Sequence, residues 1–358
     1  MNKKYSELAE LFRSEKTDEE ILDFLLNYHK NDIADMMAGM TEEERKRLYH
    51  LLGAQKVAEI FKYIEEPRKY IRELSVESAA RVISEMDSDD AVDLLEDLDP
   101  EEKEQIVRML DEDARKDVKM LLSYDEEEIG SCMTTNYICI PEDLTIKQAM
   151  SELVKQAGEN DNIMTIYVVD EKGVFAGAID LKDLIRAREN THLEDLVLKS
   201  YPYVTDHEKI DDCMDRILDY AEDSIPVLSE DKRILGVITS EDLIEMVDNE
   251  MGEDYAKLAG LTAEEDLKEP IVQSMKKRLP WLIILLFLGM GVSSVVGLFE
   301  NVVAVLPIVI CFQSLVLDMA GNVGTQSLAV TIRVLMDENL TGKQKFQLVV
   351  KEVKTGSL

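Results

Sequence analysis

Positive charge is what this sequence has least of for its length. Its 358 residues hold 40 Lys and Arg against 74 Asp and Glu, a formal net charge of −34 at pH 7. The deficit is uneven. From Ile271 onward eight Lys or Arg face five Asp or Glu, which leaves 32 basic and 69 acidic side chains in the preceding 270 residues. A field of that sign repels phosphate backbones and anionic lipid and attracts cations, so a nucleic-acid binder is excluded. Cysteine is scarce as well: Cys132, Cys139, Cys213 and Cys311 show no paired metal-ligand spacing, so disulfides are not expected and a reducing compartment fits. Four scattered histidines (29, 50, 192 and 207) offer no metal site, and the sequence has no phosphate-cradling glycine loop, no Gly-x-Ser-x-Gly elbow and no Cys-His pairing. "GMGVSS" (289–294) begins like a dinucleotide fingerprint but sits inside a long apolar run. No enzyme is expected. The opening "MNKKYSELAELF" lacks the apolar core of a signal peptide, so membrane targeting is expected to come from hydrophobic segments nearer the C-terminus.

What is present falls into distinct stretches, and the expected fold is multidomain. Residues 1–130 read as an all-α superhelix, an acidic helical-repeat domain. Apolar residues recur at helical spacing in "EEILDFLLNYH", "DIADMMAGM", "ERKRLYHLL", "KVAEIFKYI", "SAARVISEM" and "AVDLLEDL". Thr17 with Glu20 and Thr41 with Glu44 match capping boxes, and Asp99-Pro100 puts proline at a first helical position. Helices of about 10–12 residues are marginal alone and bury their stripes by stacking.

An internal repeat follows. "YVVDEKGVFAGAIDLKDLI" (167–185) aligns with "PVLSEDKRILGVITSEDLI" (226–244), placing Val168 with Val227, Gly177 with Gly236 and Asp183 with Asp242. Each unit reads as strand, acidic turn, strand after glycine, then helix, and two such α/β units pair to bury one core. The pattern resembles a tandem pair of CBS domains, at 131–194 and 195–250. That resemblance implies adenine-nucleotide binding, with ATP a possible ligand, through a Thr/Ser-x-x-Asp after the second strand. The second unit keeps it as Thr239 and Asp242; the first has Asp180 in the hydroxyl's place.

Residues 251–278 then read as a polar connecting helix, broken near Gly260 and Pro270, that delivers the chain to Lys276, Lys277 and Arg278. Two α-helical transmembrane segments are expected next, at 281–299 and 302–332. The first offers an uncharged run close to the roughly 20 residues needed to cross a bilayer. Cations on its N-terminal flank place residues 1–278 in the cytoplasm, and Arg333 with the lysine-bearing tail returns the chain to that side. Inside the second span lies "DMAGNVGTQS" (318–327). A carboxylate at membrane depth costs about 2.5–3.5 kcal/mol on insertion scales, and polar groups survive there against a packed interface or a water-filled path. Gly321 and Gly324 suit a close helix–helix contact with Asn322 and Gln326 as hydrogen bonders. They equally suit an ion path, and the residues alone leave both open.

Pro307 followed by "LDMAGNVGTQS" resembles the second transmembrane helix of the MgtE family of magnesium transporters, although Met319 and Ala320 replace the Thr-Gly usual before Gly-Asn. The order of parts and the junction "LSYDEEEIGSCMTT" (122–135) are similar too. The resemblance implies a plasma-membrane, multi-pass homodimer that conducts Mg²⁺, with five transmembrane helices per subunit. This chain stops after two, in the 279–358 region, so the sequence reads as an incomplete transporter subunit without the pore carboxylate of the family's last helix. The ion path would run past Asp318, Gly321, Asn322, Gly324 and Gln326. Regulatory Mg²⁺ positions would fall on or near Glu59, Asp89, Asp93, Asp211, Asp242, Glu245, Glu250, Glu253 and Asp254.

Physical chemistry supports part of that assignment. Mg²⁺ keeps its waters and is held through one or two carboxylates. In "DSDDAVD" Asp89 and Asp93 share a helix face, although Asp89 and Asp90 equally suit the positive end of that helix. "EDLIEMVDNEMGED" stacks like charges that need compensation. The expected function is Mg²⁺ transport gated by cytosolic Mg²⁺ sensing, closed at high Mg²⁺. The alternative is a membrane-anchored CBS sensor of Mg²⁺ or nucleotide acting on a partner. Plain solubility also accounts for acidity.

Overall fold

Three- and four-residue signals in the sequence set the first elements. In the computed structural model, which describes residues 17–64, 66–158, 160–188, 190–261, 270–299, 305, 307–337 and 341–357, both capping boxes form. Thr17 and Thr41 each accept the N–H of the residue three on, and Glu20 and Glu44 reach back. Among the described residues eight α-helices precede the first strand: Asp18–Leu25, Lys30–Met37, Glu42–Phe61, Pro67–Ile71, Val76–Ile83, Ser88–Glu96, Pro100–Met109 and Glu112–Leu121. Glu42–Phe61 is two helices joined across a kink, where Gly53 takes φ +77°, a conformation that favours glycine. Val76–Ile83 packs on Pro100–Met109 and Ser88–Glu96 on Glu112–Leu121, each against the helix two further along. That is the stacking of a superhelix. One ion pair sits inside it: Arg45 Nε donates to Glu73 Oε2 at 2.8 Å, with both side chains buried and the Arg45 guanidinium 5.1 Å from the Tyr70 ring centroid.

Two small sheets follow. In the first, β1 (Ile138–Pro141) runs parallel to β2 (Thr165–Val169), which pairs antiparallel with β3 (Phe175–Asp180). The second repeats this with β4 (Val204–Thr205), β5 (Ser224–Leu228) and β6 (Ile234–Thr239). Ile138, Ile140, Ile166, Val168 and Ile179 make a continuous apolar layer against Ala149 and Leu153 of the Ile146–Gln156 helix. The two units are interlocked by reciprocal exchange. Thr134, ahead of the first unit, pairs with Val237 on β6 of the second; Leu198, ahead of the second unit, pairs with Ala178 on β3 of the first. Tyr167, Tyr201 and Val237 are buried together, and the Tyr167 and Ser224 hydroxyls lie 2.6 Å apart.

The repeat glycines permit the exchange. A Cβ on Gly177 would sit 2.6 Å from Leu198 O, and one on Gly236 would sit 2.7 Å from Thr134 O. The segment joining the helical domain to the first sheet is stitched to the second unit: Ile129 N donates to Glu208 O at 2.8 Å, Gly130 N to Asp206 O at 3.0 Å, and Ile210 N to Glu127 O at 3.0 Å. His207 Nδ1 lies 2.9 Å from Glu128 Oε1 beside the Tyr124 ring, and Tyr124 donates to Asp206 Oδ2 at 3.1 Å.

Residues 244–358 form a separate compact unit. The helix Ser240–Leu258 runs through residue 250 without a break. Gly260 takes φ +76°, and Pro270 caps the next helix, Ile271–Gly297. That helix starts ten residues ahead of the expected span and carries Lys276, Lys277, Arg278 and Pro280 within it, because Pro270, not the edge of the apolar run, fixes its start. Among the described residues it is the helix long and apolar enough to cross a membrane. The second expected span, 302–332, is helical over Pro307–Asp337, with Val305 helical too and residues 301–304 and 306 outside the described ones. The polar stretch 318–327 stays helical, Thr325 Oγ1 returning to Gly321 O at 3.1 Å. A further helix, Gly342–Gly356, follows.

Two outcomes are expected of the full chain. Gly236→Ala should cost about 1–3 kcal/mol through overpacking, and Gly177→Ala more, since Gly177 also has φ +151°. Thermal unfolding in detergent, monitored by circular dichroism, checks the order. Glu128, then Asp206 and Glu230, hold the His207 pKa above its ordinary value. The pairing therefore contributes fully below about pH 6.5 and fades as pH rises through the raised value. The melting-temperature gap between wild type and His207→Gln should close from pH 5.5 to 8.5; a gap independent of pH would contradict it.

Candidate functional site

The first turn of the Ser88–Glu96 helix and the start of the Ser240–Leu258 helix face one cavity of about 290 Å³. Lys62, Asp87, Asp89, Thr134, Asn136, Asp161, Asn162, Asp223, Thr239, Glu241 and Asp242 line it. Local structure explains how each arrives. Asp87 is the N-cap of its helix, yet makes no capping bond. Its Oδ1 instead accepts from Asn136 Nδ2 at 2.8 Å, while Asn136 Oδ1 accepts Asp161 N at 3.0 Å. Thr135 N donates to Ser88 Oγ at 2.9 Å and Thr135 Oγ1 to Asp117 Oδ2 at 2.8 Å, fastening the helical domain to the repeat pair. On the opposite wall Asp242 Oδ2 accepts Thr239 N at 2.7 Å and Thr239 Oγ1 accepts Asp242 N at 3.3 Å, a capping arrangement that fixes both side chains.

Electrostatics there are costly. Burial pushes the Asp89 carboxyl well above the usual range, with Asp242, Asp90 and Asp87 adding repulsion. Burial also raises Asp90 to about 7, opposed by Lys62 and reinforced by Asp87, Asp242 and Asp93. Asp242 is raised by burial against the Thr239 hydrogen bonds and Lys62. Lys62 Nζ lies 3.1 Å from Glu241, 3.8 Å from Asp87 and 4.0 Å from Asp90. It does not finish the compensation: Asp89 Oδ1 and Asn162 Nδ2 are both buried without a hydrogen-bond partner. Burial, against a Ser131 hydrogen bond, lifts the nearby Cys132 thiol to about 11, and Asp93, Asp242 and Asp89 add to the rise.

Of the residues expected to hold Mg²⁺, Asp89 and Asp242 line the cavity and Asp93 adds its charge beside it. Glu59 is elsewhere in the helical domain, paired with Lys30 at 2.9 Å, and Asp211 is exposed at the start of the Ile210–Tyr220 helix. Glu245 is exposed on the Ser240–Leu258 helix; Glu250, Glu253 and Asp254 fall on that helix with side chains outside the described ones. Asp318, Gly321 and Asn322 share one face of Pro307–Asp337 by their i, i+3, i+4 spacing, with Gln326 next to it and Gly324 turned away. All five are exposed, and among the described residues nothing stands within 4 Å of a Cβ built on Gly321 or Gly324, so those residues make no close helix contact there. Sequence reasoning missed Lys62, Asp161, Asn162 and Asp223, which reach the cavity only through tertiary structure. Asp180, where the nucleotide signature has a hydroxyl, caps its own helix by accepting Lys182 N at 2.8 Å.

Among the described residues no three acidic, thiol or imidazole groups converge tightly enough to ligate a bare ion. The cavity suits a cation that retains water. At about 30 Å³ per water it has room for roughly ten, more than the shell of a hydrated divalent ion, and the unpaired Asp89 oxygen points to such an occupant.

Comparison with known proteins places this arrangement. The MgtE intracellular N domain matches residues 28–127, and the CBS domain matches 127–190 and 193–249. A magnesium transporter MgtE of Enterococcus faecalis is 38% identical over 360 residues, covering 99% of this chain and 79% of the relative. The chain belongs to the MgtE family of magnesium transporters. A Bacillus subtilis MgtE is 32% identical over 66% of this chain and 52% of its own length. The crystal structure of the soluble part of a magnesium transporter superposes with TM-score 0.66 at 29% identity, covering 69% of this chain and 98% of that one. The cytosolic domain of the Mg²⁺ channel MgtE in complex with ATP gives TM-score 0.60 at 27% identity, covering 67% and 99%. The family is one of transporters and not of enzymes, and the helical domain followed by a CBS pair is the MgtE cytosolic architecture.

One consequence concerns the crowded carboxylates. Asp89→Asn should raise the melting temperature in chelator at pH 8 by a few degrees, since each kcal/mol relieved is worth about 2–4 °C in a domain of this size. Differential scanning fluorimetry checks it; a lowered melting temperature would show that Asp89 is not strained by its neighbours.

Proposed function

We propose that this chain is a Mg²⁺-transporting subunit of a multi-pass plasma-membrane homodimer. Its cytosolic helical and CBS domains sense Mg²⁺ and close the ion path when the ion is abundant. One observation carries the reading: half-buried carboxylates from two domains face each other across a cavity that leaves the buried Asp89 Oδ1 unpartnered. Hydrated Mg²⁺ held by Asp89 and Asp242, with Asp93 nearby, draws the helical domain onto the CBS pair. When Mg²⁺ falls, repulsion loosens the junction and the Ser240–Leu258 helix carries the change toward the membrane segments. Glu245, Glu250, Glu253 and Asp254 extend the sensing surface along that helix, and Glu59 and Asp211 supply weaker positions. Several weak sites together meet the few kcal/mol of differential binding a switch requires. Partly hydrated Mg²⁺ passes between two subunits along Asp318, Gly321, Asn322, Gly324 and Gln326.

Adenine-nucleotide binding is a second reading, favoured by a different cavity. With Asp87, Asp89, Asp161, Asp223, Glu241 and Asp242 against Lys62, the cavity at Thr239 has the wrong sign for phosphates. A cavity of about 470 Å³ lined by Lys199, Tyr201, Tyr203, Arg216 and Tyr220 offers aromatic rings beside two cations, and a relative's cytosolic domain binds ATP.

Limited proteolysis of the full chain in detergent tests the sensing claim. Millimolar Mg²⁺ should protect the 244–270 region at least threefold relative to NaCl of matched ionic strength. Asp89→Ala/Asp242→Ala should abolish that protection. Identical cleavage with and without Mg²⁺ in the wild type would reduce the acidity to a solubility device.

A further inference from the structure

Lys62 occupies a position the sensing reading does not use. It follows directly on the Glu42–Phe61 helix, as its C-cap, where the helix's negative end favours a cation. Its side chain is 28% exposed and reaches across the domain junction, to Asp87 and Asp90 on its own domain and Glu241 on the second CBS domain. Among the residues lining this cavity it is the one cation against six carboxylates. We propose that Lys62 is the resident counter-cation of the Mg²⁺-sensing junction. On this view it limits how far the helical domain loosens from the CBS pair when no ion is bound, and a divalent ion must displace it. It would thereby set the sensing threshold and the preference for divalent over monovalent cations.

The argument is one of charge and reach. A tethered ammonium is at high effective concentration and costs no association entropy, so a free monovalent ion, bringing the same charge, has nothing to offer in exchange. A divalent ion brings twice the charge and, through its water, reaches the Asp89 oxygen that Lys62 leaves unpaired. Burial works against the ammonium, yet Asp90, Glu241 and Asp87 outweigh it and keep Lys62 charged at any physiological pH. The lysine is therefore a fixed competitor and not a proton switch. An arginine at the position would keep the charge; a methionine keeps the stem and removes it.

The inference rests on the sensing reading, and one experiment separates the two. Hydrogen exchange of the full chain in detergent is followed by mass spectrometry at residues 86–97 and 238–243, in chelator, in 150 mM KCl with chelator, and across a MgCl₂ titration. Lys62→Met should exchange about tenfold faster than wild type in chelator at both segments. Its Mg²⁺ midpoint should fall about tenfold, a modest fraction of the unscreened limit for charges about 4 Å apart. KCl should slow exchange in Lys62→Met and leave wild type unchanged, and Lys62→Arg should follow wild type. Glu241→Gln, altering an exposed side chain, should reproduce the loss in chelator without touching the core. Peptides covering β1 and β2 must remain protected in each variant. If Lys62→Met loses them, Glu241→Gln decides the question. Equal exchange in chelator and an equal midpoint for variant and wild type would overturn the role of Lys62. Absence of any Mg²⁺ effect on wild type would instead overturn the sensing reading, while the chelator comparison still reports on Lys62.

Discussion

Like charges forced out of water across a domain junction are the constraint on which this structure turns. Carboxylates on the helical domain and on the second CBS domain meet where burial raises the cost of ionising each of them, and one lysine is there to offset them. In isolation such an arrangement is a liability, since buried charges without partners cost more than a well-packed apolar contact would supply. The surrounding contacts hold it in place. The Thr135–Ser88, Thr135–Asp117 and Asn136–Asp87 bonds clamp the two domains beside the cavity, and Thr239 pins Asp242 on the far wall. The strained groups are therefore carried by rigid elements, the arrangement a site needs if a small energy is to be converted into a defined displacement.

The helix termini do a second job here. The first turn of Ser88–Glu96 presents Asp89 and Asp90 at the positive end of its dipole, which stabilises their ionised forms and tempers the repulsion. Asp87, the formal cap, turns instead to Asn136 and joins the two domains. The residues that end a helix in one domain thus serve as recognition groups for the next, and capping and binding are not exclusive readings of the same side chains.

Much of this was legible in the sequence. The capping boxes at Thr17 and Thr41, the proline at 100 and the repeat glycines at 177 and 236 are local signals, and local signals survive folding. Asp89 and Asp242 were legible as candidates because a helix start and a repeat motif mark them. Lys62, Asp161, Asn162 and Asp223 were not, because they lie far apart along the chain and nothing short of tertiary packing brings them together. Helix starts near the membrane follow a different signal from the apolar runs. Apolar composition marks where lipid can be met, whereas the first of these helices begins ten residues earlier, after Pro270. Glu59 and Asp211 each sit on their own element away from the cavity.

The crossed pairing of Thr134 with β6 and of Leu198 with β3 has a consequence for how such a chain can be made and broken. Each repeat completes its sheet with backbone borrowed from ahead of the other, so neither half owns a finished edge. A ribosome that has released only the first repeat has exposed the edge of β3, with Ala178 unpaired on that side until residue 198 emerges. Nascent chains caught in that interval can lend the missing segment to a neighbour, and edge-to-edge association between molecules is the natural by-product. The short stretch of chain between the end of β3 and Leu198 keeps that window brief.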